Sequence, residues 1–200
     1  MMSRVVVFEN VTLDGVMQAP GRPDEDRRGG FTHGGWAAPY FDPVMGEVAA
    51  EGISQGGALL LGRRTYEDFA SFWPTAPEDL PFTAVMNEFQ KYVVSTTLDE
   101  PLSWSNSTLL KGDAAQAVRD LKKRSDQNLT VLGSGELVRT LMKHGLVDQF
   151  ILLIHPLVLG TGLRLFPDES PTAPLTLVDS KPTGTGVIIA TYQPAEEETA

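Results

Sequence analysis

Short, almost uninterrupted apolar runs separated by helical segments constrain the fold of this chain most. Residues 5–8 and 58–61 form such runs, and a strand without polar alternation is typical of a sheet that is covered on both faces. Segments with a helical pattern lie between the apolar runs, for example at 42–55 and 113–124. Strands that alternate with helices predict an α/β domain with a mainly parallel central sheet flanked by helices.

The other elements follow from the same patterns and from turn residues. Segments 175–181 and 186–192 enclose Thr183-Gly184-Thr185 and predict an antiparallel strand pair near the C-terminus. We expect residues 1–193 to form one domain and the polar residues 194–200 to form a disordered tail. Further strands are predicted at 4–11, 92–95, 108–110, 129–132 and 146–154, and further helices at 65–72, 81–90 and 136–144.

Charge and composition limit the classes of function. The chain has 200 residues, a formal net charge of -10 and no cysteine. Non-specific nucleic-acid binding needs a basic surface, so we expect no nucleic-acid partner. Neither His33 nor His144 has a partner at ligand spacing, and thiolate ligands are excluded, so no metal is predicted. The N-terminal apolar run is too short for a signal peptide or a membrane span, which predicts a cytoplasmic protein without membrane contact.

The strand predicted at 58–61 ends in residues that favour an anion. Gly62 is followed by Arg63, Arg64 and Thr65, and then by a helical segment. The free N–H groups and the dipole of a helix N-terminus attract negative charge, and arginine offers fork-shaped donors that match phosphate. We interpret the segment as half of a phosphate clamp for a nucleotide cofactor. An ordinary strand-turn-helix with two solvated arginines is the alternative.

Two further strand ends carry small or hydroxyl residues. Ser95 and Thr96 follow one short strand, and Gly133-Ser134-Gly135-Glu136 follows another. Glycines allow a backbone to approach a phosphate closely, and a helix is predicted directly after them. Because parallel crossovers gather such loops at one sheet edge, where ligands bind, the three ends together favour a binding site. The alternative is that the glycines serve only as caps and turns.

Taken in order, these segments resemble dihydrofolate reductase. They resemble still more closely the reductase domain of riboflavin biosynthesis, which is the C-terminal domain of the bacterial deaminase-reductase, and its stand-alone relatives. The resemblance rests on Leu-Gly-Arg-Arg-Thr-Tyr-Glu, Val-Val-Ser-Thr and Gly-Ser-Gly-Glu-Leu in this order, and on Thr12-Leu-Asp-Gly15 and residues 155–166. It covers residues 4–192 and implies a dihydrofolate reductase-like fold.

The resemblance also implies that the chain binds NADPH. By position, Arg63 and Arg64 match residues near the adenosine 2′-phosphate, and Thr65 matches the helix start that holds the pyrophosphate. Ser95 and Thr96 match the hydroxyl pair on the 2′-phosphate and ribose side. The full set of expected cofactor residues is Gly62, Arg63, Arg64, Thr65, Ser95, Thr96, Gly133, Ser134, Gly135, Glu136 and Leu137.

Two aspartates are candidates on the substrate side. Dihydrofolate reductases carry a carboxylate on the first helix shortly after a loop tryptophan, and Asp42 follows Trp36 at a comparable distance. Asp42 before Pro43 is also a well-formed helix start, so a capping role is an alternative. Asp14 follows the first strand and either contacts substrate or forms an Asp-Gly turn. Trp36 lies in the long irregular segment 16–40 and is either a loop anchor or a pocket wall.

His155 and Val16 bear on the identity of the substrate. His155 ends a long strand at the expected pocket edge, where it either hydrogen-bonds a substrate or has a structural role. In the riboflavin reductases a basic residue often follows the Asp-Gly pair and helps to bind the substrate phosphate. Val16 stands at this position here. This departure argues against the phosphoribosyl pyrimidine of riboflavin synthesis as the substrate.

The sequence thus leads to two functional hypotheses. The first is an NADPH-dependent reductase, similar to 5-amino-6-(5-phosphoribosylamino)uracil reductase or dihydrofolate reductase. It would act on a small heterocyclic or carbonyl-type compound, with Asp14, Asp42 and His155 as catalytic candidates. The second is a non-catalytic NADP(H)-binding protein that has kept the cofactor cleft. A homodimer is one expected assembly.

Overall fold

Strands and helices alternate along the chain as the apolar pattern predicts. The computed structural model describes residues 3–168, 170 and 172–195, without the side chains of residues 52–56. The strands are β1 (Val5–Thr12), β2 (Ala58–Gly62), β3 (Gln90–Val94), β4 (Ser107–Leu110), β5 (Leu129–Leu132), β6 (Gln149–His155), β7 (Leu175–Pro182) and β8 (Ile188–Pro194). The helices are α1 (Pro43–Gly56), α2 (Arg63–Phe72), α3 (Thr83–Glu88), α4 (Ala114–Arg124) and α5 (Gly135–Lys143).

All eight strands form one sheet in the order β4-β3-β2-β5-β1-β6-β8-β7. In this order, neighbouring strands from β4 to β6 are parallel, whereas β8 is antiparallel to both β6 and β7. The predicted α/β fold, with a mainly parallel sheet and an antiparallel C-terminal pair, is therefore confirmed.

Both faces of the sheet are covered, which explains the lack of polar alternation in its central strands. In β2, Leu60 packs with α4 and α5 residues on one face, and Leu61 packs with Tyr66 of α2 on the other. Both leucines are fully buried. Helix α1 covers the second face farther along, where Met45 packs on β6 and β8. Burial on both sides thus selects continuous leucine and valine in these strands.

The helices that follow β2 and β5 lie on opposite faces of the sheet. Helix α2 follows β2 and packs on the face of Leu61, whereas α5 follows β5 and packs on the face of Leu60. The two strands are parallel neighbours. Where adjacent parallel strands send their chains to opposite faces, a crevice opens at their carboxyl ends. This topology positions the candidate site.

Several element boundaries differ from the prediction. Helix α3 occupies only 83–88 of the predicted 81–90, and β6 begins at Gln149 rather than at 146. Leu146 and Val147 are buried but precede the strand. Asp148, the next residue, contacts the start of β1: its carboxylate accepts a hydrogen bond from Val5 N at 2.6 Å, and its N donates to Val5 O at 2.9 Å. An apolar run therefore marks burial here rather than strand geometry.

The chain end and the long loop also differ in detail. Pro194, predicted as the first tail residue, ends β8, and Ala195 N donates to Pro174 O. The rest of the predicted tail, 196–200, lies outside the described residues. In the long loop, Trp36 is buried, packs in a cluster with Val16 and Phe31, and donates its Nε1–H to Gln18 O at 2.7 Å. Trp36 thus anchors the loop. Within the described residues, every helix is too short or too polar to cross a bilayer.

Candidate functional site

The three strand ends singled out in the sequence line one cleft at the crevice between β2 and β5. The cleft has a volume of about 890 Å³. Its walls include every residue expected to contact the cofactor, namely Gly62, Arg63, Arg64, Thr65, Ser95, Thr96, Gly133, Ser134, Gly135, Glu136 and Leu137. Residues that are up to 75 positions apart in the chain therefore meet in one concave site, although their contacts with a cofactor remain predictions.

Two of the strand ends are joined by side-chain hydrogen bonds. Gly62 N donates to Ser134 Oγ at 2.9 Å, and Ser134 N donates to Thr65 Oγ1 at 3.0 Å. Ser134 Oγ also donates to Leu132 O at 3.1 Å. Ser134 adopts the left-handed backbone region, with φ of 60°. Thr65 and Ser134 thus fix the two loops against each other, so that both helix N-termini face the same cleft.

The two helix N-termini suit an anionic group. Helix α2 begins after Gly62, which has no side chain, and the hydroxyl of Ser134 is turned away from the first turn of α5. Neither N-terminus therefore receives a side-chain cap. The first N–H groups of a helix lack intrahelical partners, and the helix dipole adds partial positive charge to them. A bridging phosphate or pyrophosphate would meet both sets of donors.

Arginines supply the local positive charge that an acidic chain needs for such a ligand. Helix α2 begins at Arg63 rather than at the predicted residue 65, so both arginines belong to its first turn. Arg63 Nη1 lies 2.9 Å from Glu67 Oε2, and Arg64 Nη1 lies 2.9 Å from Glu136 Oε1. These ion pairs are partly exposed, and such pairs contribute little stability. A phosphate could therefore replace either glutamate at low cost.

The hydroxyl pair after β3 is divided between two roles. Ser95 is buried, and its Oγ accepts hydrogen bonds from Thr97 N and Leu98 N, both at 3.1 Å. Ser95 therefore holds the turn after β3. Thr96 is exposed at the cleft. The register pairs Gly62 with Val94, which places the turn beside Arg63.

The carboxylate of Asp14 is bound within its own loop region and does not line the cleft. It accepts hydrogen bonds from Thr12 Oγ1 at 2.6 Å, Gly160 N at 2.8 Å and Leu159 N at 3.2 Å. Burial raises the pKa of Asp14, but these hydrogen bonds outweigh it and lower the pKa below its usual value. Asp14 therefore joins the end of β1 to the 157–163 segment.

Asp42 uses both carboxylate oxygens for structural hydrogen bonds. Oδ1 accepts a hydrogen bond from Val44 N at 2.9 Å, which makes Asp42 the N-cap of α1. Oδ2 accepts a hydrogen bond from Gly184 N at 3.0 Å, in the β7–β8 turn. The side chain is buried and lies outside the walls of the cleft. The geometry supports the capping alternative.

His155 is fully buried on the α1 face of the sheet. Its Nε2 lies 3.0 Å from Asn10 Oδ1, and Nδ1 has no partner among the described residues. The rings of Trp36 and Tyr40 contact it edge-on. Burial lowers the pKa of His155 to about 4, so the ring is neutral near neutral pH. The three predicted catalytic residues therefore do not converge on the cleft.

A carboxyl group that the sequence analysis missed does line the cleft. Glu9 lies on β1 between Phe8 and Asn10, is buried, and its Oε1 has no partner in the described structure. Burial, and then the nearby charge of Glu25, raises the pKa of Glu9 well above its usual value. Glu25 also lines the cleft, and burial raises its pKa as well. The two-residue spacing of Glu9 from the valines at 7 and 11, which places it on their face of the strand, was the signal available in the sequence.

Comparisons with known proteins bear on the family and the fold of the chain. The sequence pattern of the RibD C-terminal domain matches residues 3–189. The uncharacterized protein YyaP of Bacillus subtilis is 27% identical over 193 residues, which cover 94% of this chain and 94% of that protein.

Solved structures share the fold. A candidate riboflavin biosynthesis protein from Shewanella sp. PV-4 aligns with a TM-score of 0.73 and 22% identity, over 98% of this chain and 100% of that one. Dihydrofolate reductase from Enterococcus faecalis, solved with NADP(H), aligns with a TM-score of 0.63 and 12% identity, over 98% and 100% of the two chains.

Proposed function

Because the chain belongs to the RibD C-terminal domain family, we propose that it is an NADPH-dependent reductase of a small organic molecule. One observation carries the proposal: two uncapped helix N-termini and two arginines face a single cleft of about 890 Å³. This arrangement provides donors for a pyrophosphate and a separate cationic place for a further phosphate. An acidic protein can bind a polyanion at such a local site.

The residues present fit NADPH in the following way. The N-termini of α2 and α5, held together by Thr65 and Ser134, would bind the pyrophosphate. Arg63, with the exposed Thr96 beside it, would bind the adenosine 2′-phosphate. When bound, the cofactor supplies a hydride. Burial raises the pKa of Glu9 and so favours its protonated form, and a protonated carboxyl group can donate a hydrogen bond to a ligand in the cleft, which an ionised carboxylate cannot do.

A second candidate is a non-catalytic NADP(H)-binding protein. It is favoured by the hydrogen bonds of Asp14 and Asp42, whose carboxylates serve the loop and the helix cap, and by the burial of His155 outside the cleft. A fold that binds a cofactor does not establish turnover. The two candidates differ in whether the bound cofactor is oxidised in the presence of a reducible compound.

Cofactor titration followed by a turnover assay separates these possibilities. NADPH and NADH are titrated against the protein by fluorescence, and NADPH oxidation is then followed by absorbance with a panel of carbonyl compounds, pterins and pyrimidines. Binding with turnover supports the reductase, and binding without turnover across the panel supports the second candidate. Failure to bind NADPH would refute both.

Several other expectations accompany the proposal. We expect poor turnover of dihydrofolate, because both oxygens of Asp42 are used structurally, and of the phosphoribosyl pyrimidine, because Val16 is buried where a cation would be useful. A cytoplasmic location, a homodimer and the absence of nucleic-acid and metal partners remain predictions. Light scattering of the purified protein would test the dimer.

A further inference from the structure

One carboxyl group in the wall of the cleft has no partner that balances its charge. Strand β1 pairs with β5 only as far as Phe8 and Leu132, so Glu9 lies just beyond the end of β5 and lines the cleft. Glu9 is only 3% exposed. Among the described residues, none forms a hydrogen bond or an ion pair with its carboxyl group. A buried carboxyl group without a partner is costly, and a bound ligand can supply the partner.

The two carboxyl oxygens of Glu9 differ in their access to the cleft. Oε1 is inaccessible to solvent and therefore cannot contact a molecule in the cleft. Oε2 makes no hydrogen bond within the described part of the chain either, but it is not closed off from solvent. Because the residue lines the cleft, Oε2 is the atom of Glu9 that a ligand there can reach.

Glu25 supplies a second acceptor of the same kind. It lines the cleft from the long loop, and its charge adds to burial in raising the pKa of Glu9. Its Oε2 accepts hydrogen bonds from Gly21 N at 2.7 Å and Arg22 N at 3.0 Å. Its Oε1 has no partner in the described structure and is also open to solvent. Arg22 and Asp68, the other charged groups near Glu25, are paired with each other.

The number and origin of the free oxygens indicate the kind of cation that fits. A planar guanidinium or amidinium binds best when two of its N–H groups meet both oxygens of one carboxylate, but Glu9 and Glu25 each have only one oxygen available. An ammonium group has three donors that point in different directions, so it can contact one oxygen of each carboxyl group. We propose that this part of the cleft binds a primary ammonium group of the substrate between Glu9 and Glu25. The inference rests on the proposed reductase function, because it names a property of the substrate.

Ammonium binding at this place is coupled to the protonation of Glu9. In the free protein, burial favours the protonated acid. A neighbouring positive charge favours the ionised form instead, so the bound ammonium group and the carboxyl proton compete. The affinity for the ammonium group should therefore rise as the pH rises above 4.5, the ordinary pKa of a glutamate.

Two small probes test the site without a cofactor. Benzylamine and benzyl alcohol have the same shape, but only benzylamine carries an ammonium group at neutral pH. Both are titrated by calorimetry against the wild type and Glu9→Gln. We expect the wild type to prefer benzylamine by about tenfold or more, and Glu9→Gln to lose this preference, as for one charge-assisted hydrogen bond. Benzyl alcohol should bind both proteins equally.

A third probe tests the geometry of the acceptors. Benzamidine carries a planar cation on the same ring and is titrated in the same way. It should bind the wild type more weakly than benzylamine, because neither Glu9 nor Glu25 offers it two oxygens. Tighter binding of benzamidine than of benzylamine would contradict the assignment of one oxygen from each carboxyl group.

Two further variants distinguish the site from a general effect of negative charge. Glu25→Gln should weaken benzylamine binding, as Glu9→Gln does. Asp26→Asn removes the same charge from the same loop, but both oxygens of Asp26 already accept hydrogen bonds from Arg28 Nε, at 2.9 and 3.0 Å. Asp26→Asn should therefore change the benzylamine affinity far less. Titrations between about pH 5 and pH 8 should show the affinity of the wild type rising and that of Glu9→Gln changing less, and thermal unfolding checks the fold of each variant.

The outcomes separate this inference from the proposed function. No binding of benzylamine, equal affinity for it in the wild type and Glu9→Gln, or equal affinity of the wild type for benzyl alcohol overturns the ammonium site. The benzylamine titration is then repeated with saturating NADPH. Binding of both compounds together supports the substrate assignment, and displacement of benzylamine by NADPH overturns it. Failure of NADPH to bind overturns the proposed function itself and leaves the result for benzylamine and Glu9 unaffected.

Discussion

Replacement of Arg63 by glutamine provides the sharpest test of the cofactor assignment. In the structure, Arg63 Nη1 pairs with Glu67 Oε2 at 2.9 Å, with 38% and 45% of the two side chains exposed. An exposed pair four residues apart on a helix contributes about 0.3–0.5 kcal/mol. A charge-assisted hydrogen bond to phosphate contributes about 1.5–3 kcal/mol. Replacement of the Arg63–Glu67 ion pair by a hydrogen bond from Arg63 to the phosphate therefore favours NADPH binding by about 1–2.5 kcal/mol, or roughly five- to seventyfold in Kd.

The assay compares two cofactors that differ only in the 2′-phosphate. Dissociation constants of NADPH and NADH are measured for the wild type, Arg63→Gln and Glu67→Gln. We expect Arg63→Gln to weaken NADPH binding by roughly five- to seventyfold and to leave the Kd of NADH unchanged. Glu67→Gln is the matched control, since it frees Arg63 and should leave NADPH affinity equal or slightly higher. An equal loss for both cofactors would refute the role of Arg63 at the 2′-phosphate.

The remaining predictions concern the second loop and two buried titratable groups. Gly135→Val should weaken NADPH binding at least tenfold, because a Cβ at this position lies 2.6 Å from Met17 Sδ and must displace this cleft residue. Circular dichroism should stay native, and a normal NADPH affinity would contradict the loop assignment. The folded-state pKa of Glu9 is raised above 4.5, so stability should fall as pH rises above about 4.5, and urea unfolding of Glu9→Gln should lack this loss. The folded-state pKa of His155 is lowered from 6.5 to about 4, so stability should fall by up to about 3 kcal/mol as pH drops through this interval. His155→Leu should show a flatter profile in the same measurement, and an unchanged profile would place another group at the origin of the acid sensitivity.

The sequence predicted the location of the cleft better than the chemistry of the substrate side. Gly62, Thr65 and Ser134 belong to strand-to-helix turns, where a local signal suffices. The glycine ends the strand, the helix starts, and parallel topology brings the turns to one edge. The apolar pattern gave a wrong strand boundary at Leu146 and Val147, which are buried but do not belong to β6. Glu9 was also missed, because a charged residue in a strand is usually solvated, although its two-residue spacing from the valines at 7 and 11 was an available signal.

The continuous apolar runs, their alternation with helical segments and the strand-end glycines determined the sheet, its covered faces and the cleft, because these follow from local sequence patterns and from the rules of parallel crossover. Only the tertiary structure decided the roles of the polar side chains. Asp42 reaches Gly184 across 142 positions, Asp14 reaches Gly160 across 146, and His155 meets Asn10 across 145. The acceptor capacity of a carboxylate or an imidazole is used by whichever donor the fold brings near, and sequence spacing does not reveal that donor.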